Sequence, residues 1–233
     1  MFSPVYNCLF VHIPKTAGQS IEHVFLGLSG LTWKTRGALL LRANNDPKSG
    51  PPQLAHLKAS EYVTYGYMTP EQFDACFKFS FVRNPWDRIV SEYRFRRYPG
   101  KFDFKTYLFK HLPKPGSKHY IHIIPQHEFL FGTEGKCLVD FVGRFENLQG
   151  DFNTICRELS IQESPLPHVN KSLPQKHKKR RVKGYIRRLI YSRRERAHTF
   201  GHYTGYYDDE SREFVRRIYE NDIEIFKYEF GEP

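Results

Sequence analysis

The chain is expected to fold as an α/β domain with a central, mainly parallel sheet flanked by helices. Three observations predict it. Leu9, Phe10, Val11 and Ile13 form a short apolar run, read as a strand buried in a parallel sheet. A second run, Phe77–Val82, has the same character. Each run ends on a basic residue, Lys15 or Arg83, directly ahead of a segment with helical spacing of apolar residues. Ligands of open α/β sheets bind beyond the carboxyl ends of the strands, where both cations would stand.

After the first strand, residues 14–20 read PKTAGQS, and from Gln19 the spacing of Ile21, Val24, Phe25 and Leu28 predicts the core face of a helix. A lysine with small and hydroxyl residues in such a turn suits an anion, because open main-chain N–H groups and the helix dipole both point at it. The order is wrong for a nucleoside triphosphate: GxxxxGK[ST] is absent, since Lys15 precedes Gly18. Residues 29–60 lack clear periodicity, and 44–53 are rich in turn formers. Thr69-Pro70, with Glu71 and Gln72 next, marks a short helix start. Asn84 is placed to cap the helix after the second strand, Pro85 fits its first turn, Ile89 and Tyr93 anchor it, and Ser91 lies two turns along. Residues 99–120, rich in Pro, Gly and Lys at both ends, read as a surface lobe over the site. A further strand is expected over 137–145, then a helix marked by Phe152, Ile155, Cys156 and Leu159. Asp208 or Asp209 caps a last helix with Phe214, Ile218 and Tyr219 facing inward.

A lone lysine in a strand–helix turn is commonly a solvated surface residue. Two cations delivered to one sheet edge predict instead a ligand with two separated phosphates. At this point the chain resembles the sulfotransferase family, most closely the carbohydrate sulfotransferases and their small bacterial relatives. PKTAGQS is similar to the family's 5′-phosphosulfate loop, and FVRNPWDRIVSEY to its 3′-phosphate segment. The likeness extends through FVGRFENL (141–148), LPHVNKS (166–172) and residues 206–230.

That resemblance implies a three-layer, P-loop-like sulfotransferase fold. It also implies transfer of a sulfuryl group from 3′-phosphoadenosine-5′-phosphosulfate to a hydroxyl by in-line displacement, with no metal. Loop residues Lys15, Thr16, Ala17, Gly18, Gln19 and Ser20 would hold the 5′-phosphate. Lys15 would also stabilise the leaving oxygen. Arg83 and Ser91 would hold the 3′-phosphate, and Lys171 and Ser172 are second-rank donor contacts. His56, in QLAHLKASEY, is similar to the family's catalytic histidine; imidazole titrates near neutral pH and suits a general base. The plain alternative for His56 is a surface residue in an extended segment. His12 is expected to pack or hydrogen-bond locally. His119, His122 and His127 are candidates for the acceptor side, with spacing that makes a weak metal set. Arg144 and Glu146 fit a structural pair as well as a substrate contact.

The chain has 233 residues, 39% hydrophobic and 16% aromatic, enough for one domain, 1–233, with a full core. A basic insertion interrupts it at about 173–200. Within 176–196 stand eleven Lys or Arg against one Glu, a net of ten positive charges out of the chain's +11. Val182, Ile186, Leu189 and Ile190 recur there at helical spacing. An anionic saccharide acceptor ranks first as its partner, ahead of a membrane surface and a merely solvated helix. Nucleic acid ranks last, because no DNA- or RNA-reading module is recognisable. No apolar run reaches the ~20 residues of a membrane span and no signal pattern precedes the first strand, which predicts a cytoplasmic enzyme, peripheral at most to the inner membrane surface. Cys8, Cys76, Cys137 and Cys156 lack CxxC spacing, and no disulfide is expected. Two rivals to sulfotransfer follow from the residues: a nucleotide-dependent kinase on a related fold, and a non-catalytic binder of polyanions or membranes.

Overall fold

A computed structural model describes residues 1–167, 169 and 197–232. Lys171, Ser172 and the basic segment 176–196 lie outside the described residues. In chain order the main elements are β1 (Phe2–Ser3), β2 (Cys8–Val11), α1 (Gly18–Leu28), α2 (Glu61–Thr64), α3 (Pro70–Ala75), β3 (Phe77–Val82), α4 (Pro85–Phe95), α5 (Phe104–Thr106), α6 (His127–Leu130), β4 (Phe141–Arg144), α7 (Leu148–Glu158), α8 (Asp209–Ile218) and α9 (Glu220–Phe226). They group into two compact units: Met1–Arg83 with Ile124–Asn170, and Asn84–Ile123 with Lys171–Pro233.

The first unit is a mixed α/β layer structure around a four-stranded sheet of order β1-β2-β3-β4. β1 runs antiparallel at the edge, while β2, β3 and β4 are parallel, with Val11 opposite Ser80 and Val82 opposite Arg144. Both apolar runs are thus the strands that the sequence predicts, and Phe77–Val82 matches residue for residue. Alternation puts Cys8, Phe10, Phe79 and Phe81 on one face, where Ile21, Phe25 and Leu26 of α1 and Phe152, Ile155 and Cys156 of α7 pack on them. Fully buried side chains of this size stabilise by roughly 1.5–3 kcal/mol each. Gly143 is required at that contact, since a Cβ would lie 2.6 Å from the Phe81 ring and 3.0 Å from Asp151. Two expectations need correction. Leu28 is exposed, and the inward face of α1 carries Leu26 and Glu22 instead. The third strand is shorter than 137–145: Asp140 turns back on β3, its carboxylate and N–H both pairing with the Lys78 main chain, so pairing begins at Phe141.

The second unit is helical around an aromatic core. Trp86, Ile89 and Tyr93 of α4 pack with Phe104, Tyr107, Leu108, Tyr203, Tyr206, Val215 and Tyr219. Residues 99–120 are therefore not all surface: Phe104, Tyr107 and Leu108 are core, and the Pro- and Lys-rich flanks mask them in the sequence. Asn84 caps α4, its Oδ1 accepting the Trp86 N–H, and Pro85 opens the helix as expected. Thr69 and Gln72 form a reciprocal capping box at α3 in the first unit, and Asp208 and Ser211 do so at α8 in the second. Glu92 is fully buried, which is tolerable because Arg96 Nε (2.6 Å) and His122 Nδ1 (3.0 Å) both donate to its carboxylate.

Candidate active site

The site is built where β2, β3 and β4 end. Past Val11 the chain turns through His12–Ala17, with two non-glycine residues in the left-handed region: Lys15 at φ 74° and Ala17 at φ 63°. Such conformations cost on the order of 1 kcal/mol each, and they gather where a loop must present its main chain. Ala17 stands at the helix start with no side-chain cap on the first amides of α1. Thr16 is fully buried, and its hydroxyl donates to Ile13 O at 2.9 Å, so it ties the loop down from beneath. Ser20 N–H donates to Ala17 O, closing the first turn. Gly18 has a steric reason: a Cβ there would lie 2.7 Å from Cγ of the His12 ring and closer still to Cδ2 and Nε2.

At the end of β3, Arg83 is half-buried and held on three sides. Its Nη1 donates to Lys15 O at 3.1 Å. Its guanidinium lies over the Phe145 ring, 3.8 Å from the centroid. Its main chain is clamped by fully buried Gln126, whose Oε1 accepts the Arg83 N–H at 2.9 Å while Nε2 donates to Arg83 O at 2.8 Å. Lys15 and Arg83, 68 residues apart in sequence, thus belong to one loop assembly.

His56 closes a short 3-10 turn, Leu54–His56, and is half-buried. Its Nδ1 donates to His12 O at 3.1 Å, and its ring meets the His12 ring edge-on, 4.6 Å between centroids at 66°. A carbonyl only accepts, so Nδ1 carries the proton and the neutral ring holds its lone pair on Nε2. That is the form a general base requires. His12 is itself buried and donates from Nδ1 to Glu22 Oε1 at 2.6 Å.

The sequence model of the sulfotransferase family matches residues 1–229. The chain belongs to the sulfotransferase family. Membership makes it a transferase of the sulfuryl group in general terms. An uncharacterized protein of Archaeoglobus fulgidus is 27% identical to this sulfotransferase over 108 residues, 46% of this chain and 87% of that protein. No solved structure matches it.

The residues expected from the sequence to bind the donor or act as base are placed as follows. Lys15, Thr16, Ala17, Gly18, Gln19, Ser20, His56 and Arg83 are in the first, and Ser91 is in the second, half-buried on α4. His122 is engaged with Glu92, and burial together with the Arg96 charge pushes His119 down. Arg144 uses its main-chain N–H on the Asp151 carboxylate at 2.6 Å. Sequence reasoning missed Glu22, Gln126 and Phe145. Phe145 lies inside a recognised motif, but Gln126 and Glu22 give no local signal, because each partner sits across a loop. Among the described residues no helix is long and apolar enough to cross a membrane.

Proposed function

We propose that this sulfotransferase uses 3′-phosphoadenosine-5′-phosphosulfate as donor and sulfates a hydroxyl of an acidic saccharide, on a three-layer, P-loop-like version of the α/β fold. The observation that carries the reading is the gathering of Lys15, Arg83 and His56 at the carboxyl ends of β2 and β3, through Arg83 to Lys15 O and His56 to His12 O. Uncapped amides at the start of α1, a lysine and a forked guanidinium are a donor set for phosphate oxygens. The fit is to an anion with more than one phosphate group. A kinase reading has less support, because Lys15 precedes Gly18.

When bound, the donor supplies the sulfuryl group and a phosphate leaving group. The main chain of Thr16–Gln19 and the Ser20 hydroxyl hold the 5′-phosphate, with the Thr16 hydroxyl spent on Ile13 O and the Ser20 N–H on Ala17 O. The Lys15 ammonium stabilises charge that grows on the leaving oxygen, an interaction stronger in the transition state than before it. Arg83 grips the 3′-phosphate with N–H groups that a lysine could not arrange as a fork. Ser91, Lys171 and Ser172 enter as donor contacts on the family resemblance alone. His56 Nε2 takes the acceptor proton as the oxygen attacks sulfur from the side opposite the leaving group. The ten net positive charges of 176–196 support an anionic acceptor first, and after it a seat at the inner membrane surface of a cytoplasmic enzyme.

Calorimetry with 3′-phosphoadenosine-5′-phosphate and with AMP tests the donor. The bisphosphate should bind at least tenfold tighter, and Arg83→Ala should remove most of that preference, since charge-assisted hydrogen bonds contribute about 1.5–3 kcal/mol. Equal binding of the two nucleotides to the unaltered protein would reject the reading. A labelled-donor assay across saccharide, lipid and phenol acceptors then identifies the acceptor.

A further inference from the structure

The sulfotransfer reading gives work to His56 but none to the buried pair behind it. Glu22 is 2% exposed on the inward face of α1, ten residues from its partner His12. A carboxylate is expensive to bury unless it is hydrogen-bonded, and nothing in the packing of α1 against the sheet calls for one. The His12 ring is held by Glu22 on Nδ1, by the Phe10 ring stacked at 5.4 Å, by Gly18, which leaves no room for a Cβ beside Cδ2 and Nε2, and by His56 edge-on.

We propose that Glu22 and His12 are positioning residues for the base, a carboxylate–imidazole pair that orients His56 and raises the proton affinity of its Nε2. The inference rests on His56 being the general base. Two parts of His12 act. Its carbonyl accepts the His56 Nδ1–H and thereby selects the tautomer. Its ring, locked by Glu22, is the wall on which the His56 ring rests, and it carries the carboxylate's field toward His56 through a region of low dielectric. A negative charge nearby favours the imidazolium.

Other charged or titratable groups around the pair do not cancel this field. The Met1 α-amino group donates to Phe10 O and Tyr62 Oη, and burial pushes it down to about 5, so it is neutral at pH 7. Burial pushes the Tyr62 phenol far up, which leaves it neutral too. Lys58 is paired with Glu128 at 2.8 Å, and Glu61 of α2, raised by burial, accepts the Lys58 main-chain N–H at 2.8 Å. Lys15 and Arg83, the cations of the loop assembly itself, act in the opposite sense, but they are unchanged in Glu22→Gln and drop out of the shift that it reads.

The test is a nitrogen-15 NMR titration of the histidines, assigned with His56→Gln, beside a pH profile of kcat/KM. In the unaltered protein His56 should be Nδ1-protonated when neutral. Glu22→Gln keeps the shape and removes the charge. It should lower the His56 midpoint by about half to one pH unit, and move the acidic limb of kcat/KM down equally. It should lower kcat roughly threefold to tenfold, while affinity for 3′-phosphoadenosine-5′-phosphate stays within about twofold. An Nε2-protonated His56 in the unaltered protein would overturn the proposal without any variant. So would an unmoved midpoint in folded Glu22→Gln, or in Glu22→Asp should the first variant fail to fold. Absence of sulfate transfer, or of the bisphosphate preference, would instead sink the sulfotransfer reading, and the histidine titration would still report on the pair.

Discussion

Val11 leads through Lys15 into α1, and Val82 leads through Arg83 into α4, yet the two helix starts are finished differently. At α4 the chain caps itself: Asn84 Oδ1 accepts the Trp86 N–H at 3.2 Å and Pro85 has no N–H to satisfy. At α1 Ala17 offers no such side chain, and Lys15 and Ala17 are held in the left-handed region. The first junction has no side-chain cap and holds two residues in the costlier left-handed region. The second caps its Trp86 amide with Asn84 and follows a strand that leads to the Arg83 guanidinium. On the proposed donor reading, two strand–cation–helix units of the same outline serve as a main-chain cradle and a side-chain clamp.

The sharpest way to break the comparison is Gly18→Ala. The cradle tolerates no Cβ at residue 18 because the His12 ring, fixed by Glu22, fills that space. If the displaced loop loses two charge-assisted hydrogen bonds, about 1.5–3 kcal/mol each, binding of 3′-phosphoadenosine-5′-phosphate should fall by at least about 100-fold in calorimetry. Adding His12→Ala makes room for the methyl group and should restore much of the binding but little of the turnover. Undiminished binding in the single variant would mean that the loop is not a cradle.

Next in size is Lys15→Ala. Removing a cation from a developing negative charge typically costs about 10²–10³ in rate, whereas ground-state binding leans on the amides and on Arg83. Rapid-quench turnover should therefore fall by that factor while bisphosphate affinity changes less than about tenfold. A loss that is all in affinity would assign Lys15 to holding the donor only.

Both junctions were readable in the sequence because their signals are local. An apolar run, a basic residue, an Asn-Pro cap and helical spacing all fall within about twenty residues. What was not readable depends on contacts between distant segments. Gln126 clamps the main chain of Arg83 from 43 residues away, and nothing near Gln126 announces it. Glu22 sits on the inward face of its helix, where periodicity assigned Leu28, because its partner lies across the loop. Phe104 and Tyr107 join an aromatic core although their surroundings have the composition of a surface loop. The candidate site was half visible: the cations and His56 by motif, the groups that hold them in place only by structure.

The smallest expected effects concern the closed kind of helix start, and they separate two caps by charge. Asn84→Ala should cost about 1 kcal/mol in denaturant unfolding for the cap, and roughly as much again for the buried Nδ2 bond to Glu229 O. An amide does not titrate, so that cost should be the same at pH 7 and pH 3. Asp208, the cap of α8, differs. The Lys105 ammonium at 2.8 Å, the Ser211 hydroxyl and the Ser211 N–H hold its carboxyl well below the usual range. A depressed folded-state pKa means that the stabilisation is complete above the unfolded carboxylate value, about 3.9, and is lost as pH falls through the folded one. Asp208→Ala should also cost about 1 kcal/mol at pH 7, since the exposed ion pair with Lys105 adds little in water. Its penalty should shrink as pH drops below about 4. Unfolding curves of the two variants that kept a constant separation from pH 7 to pH 2 would show that the charge of Asp208 contributes nothing to its cap.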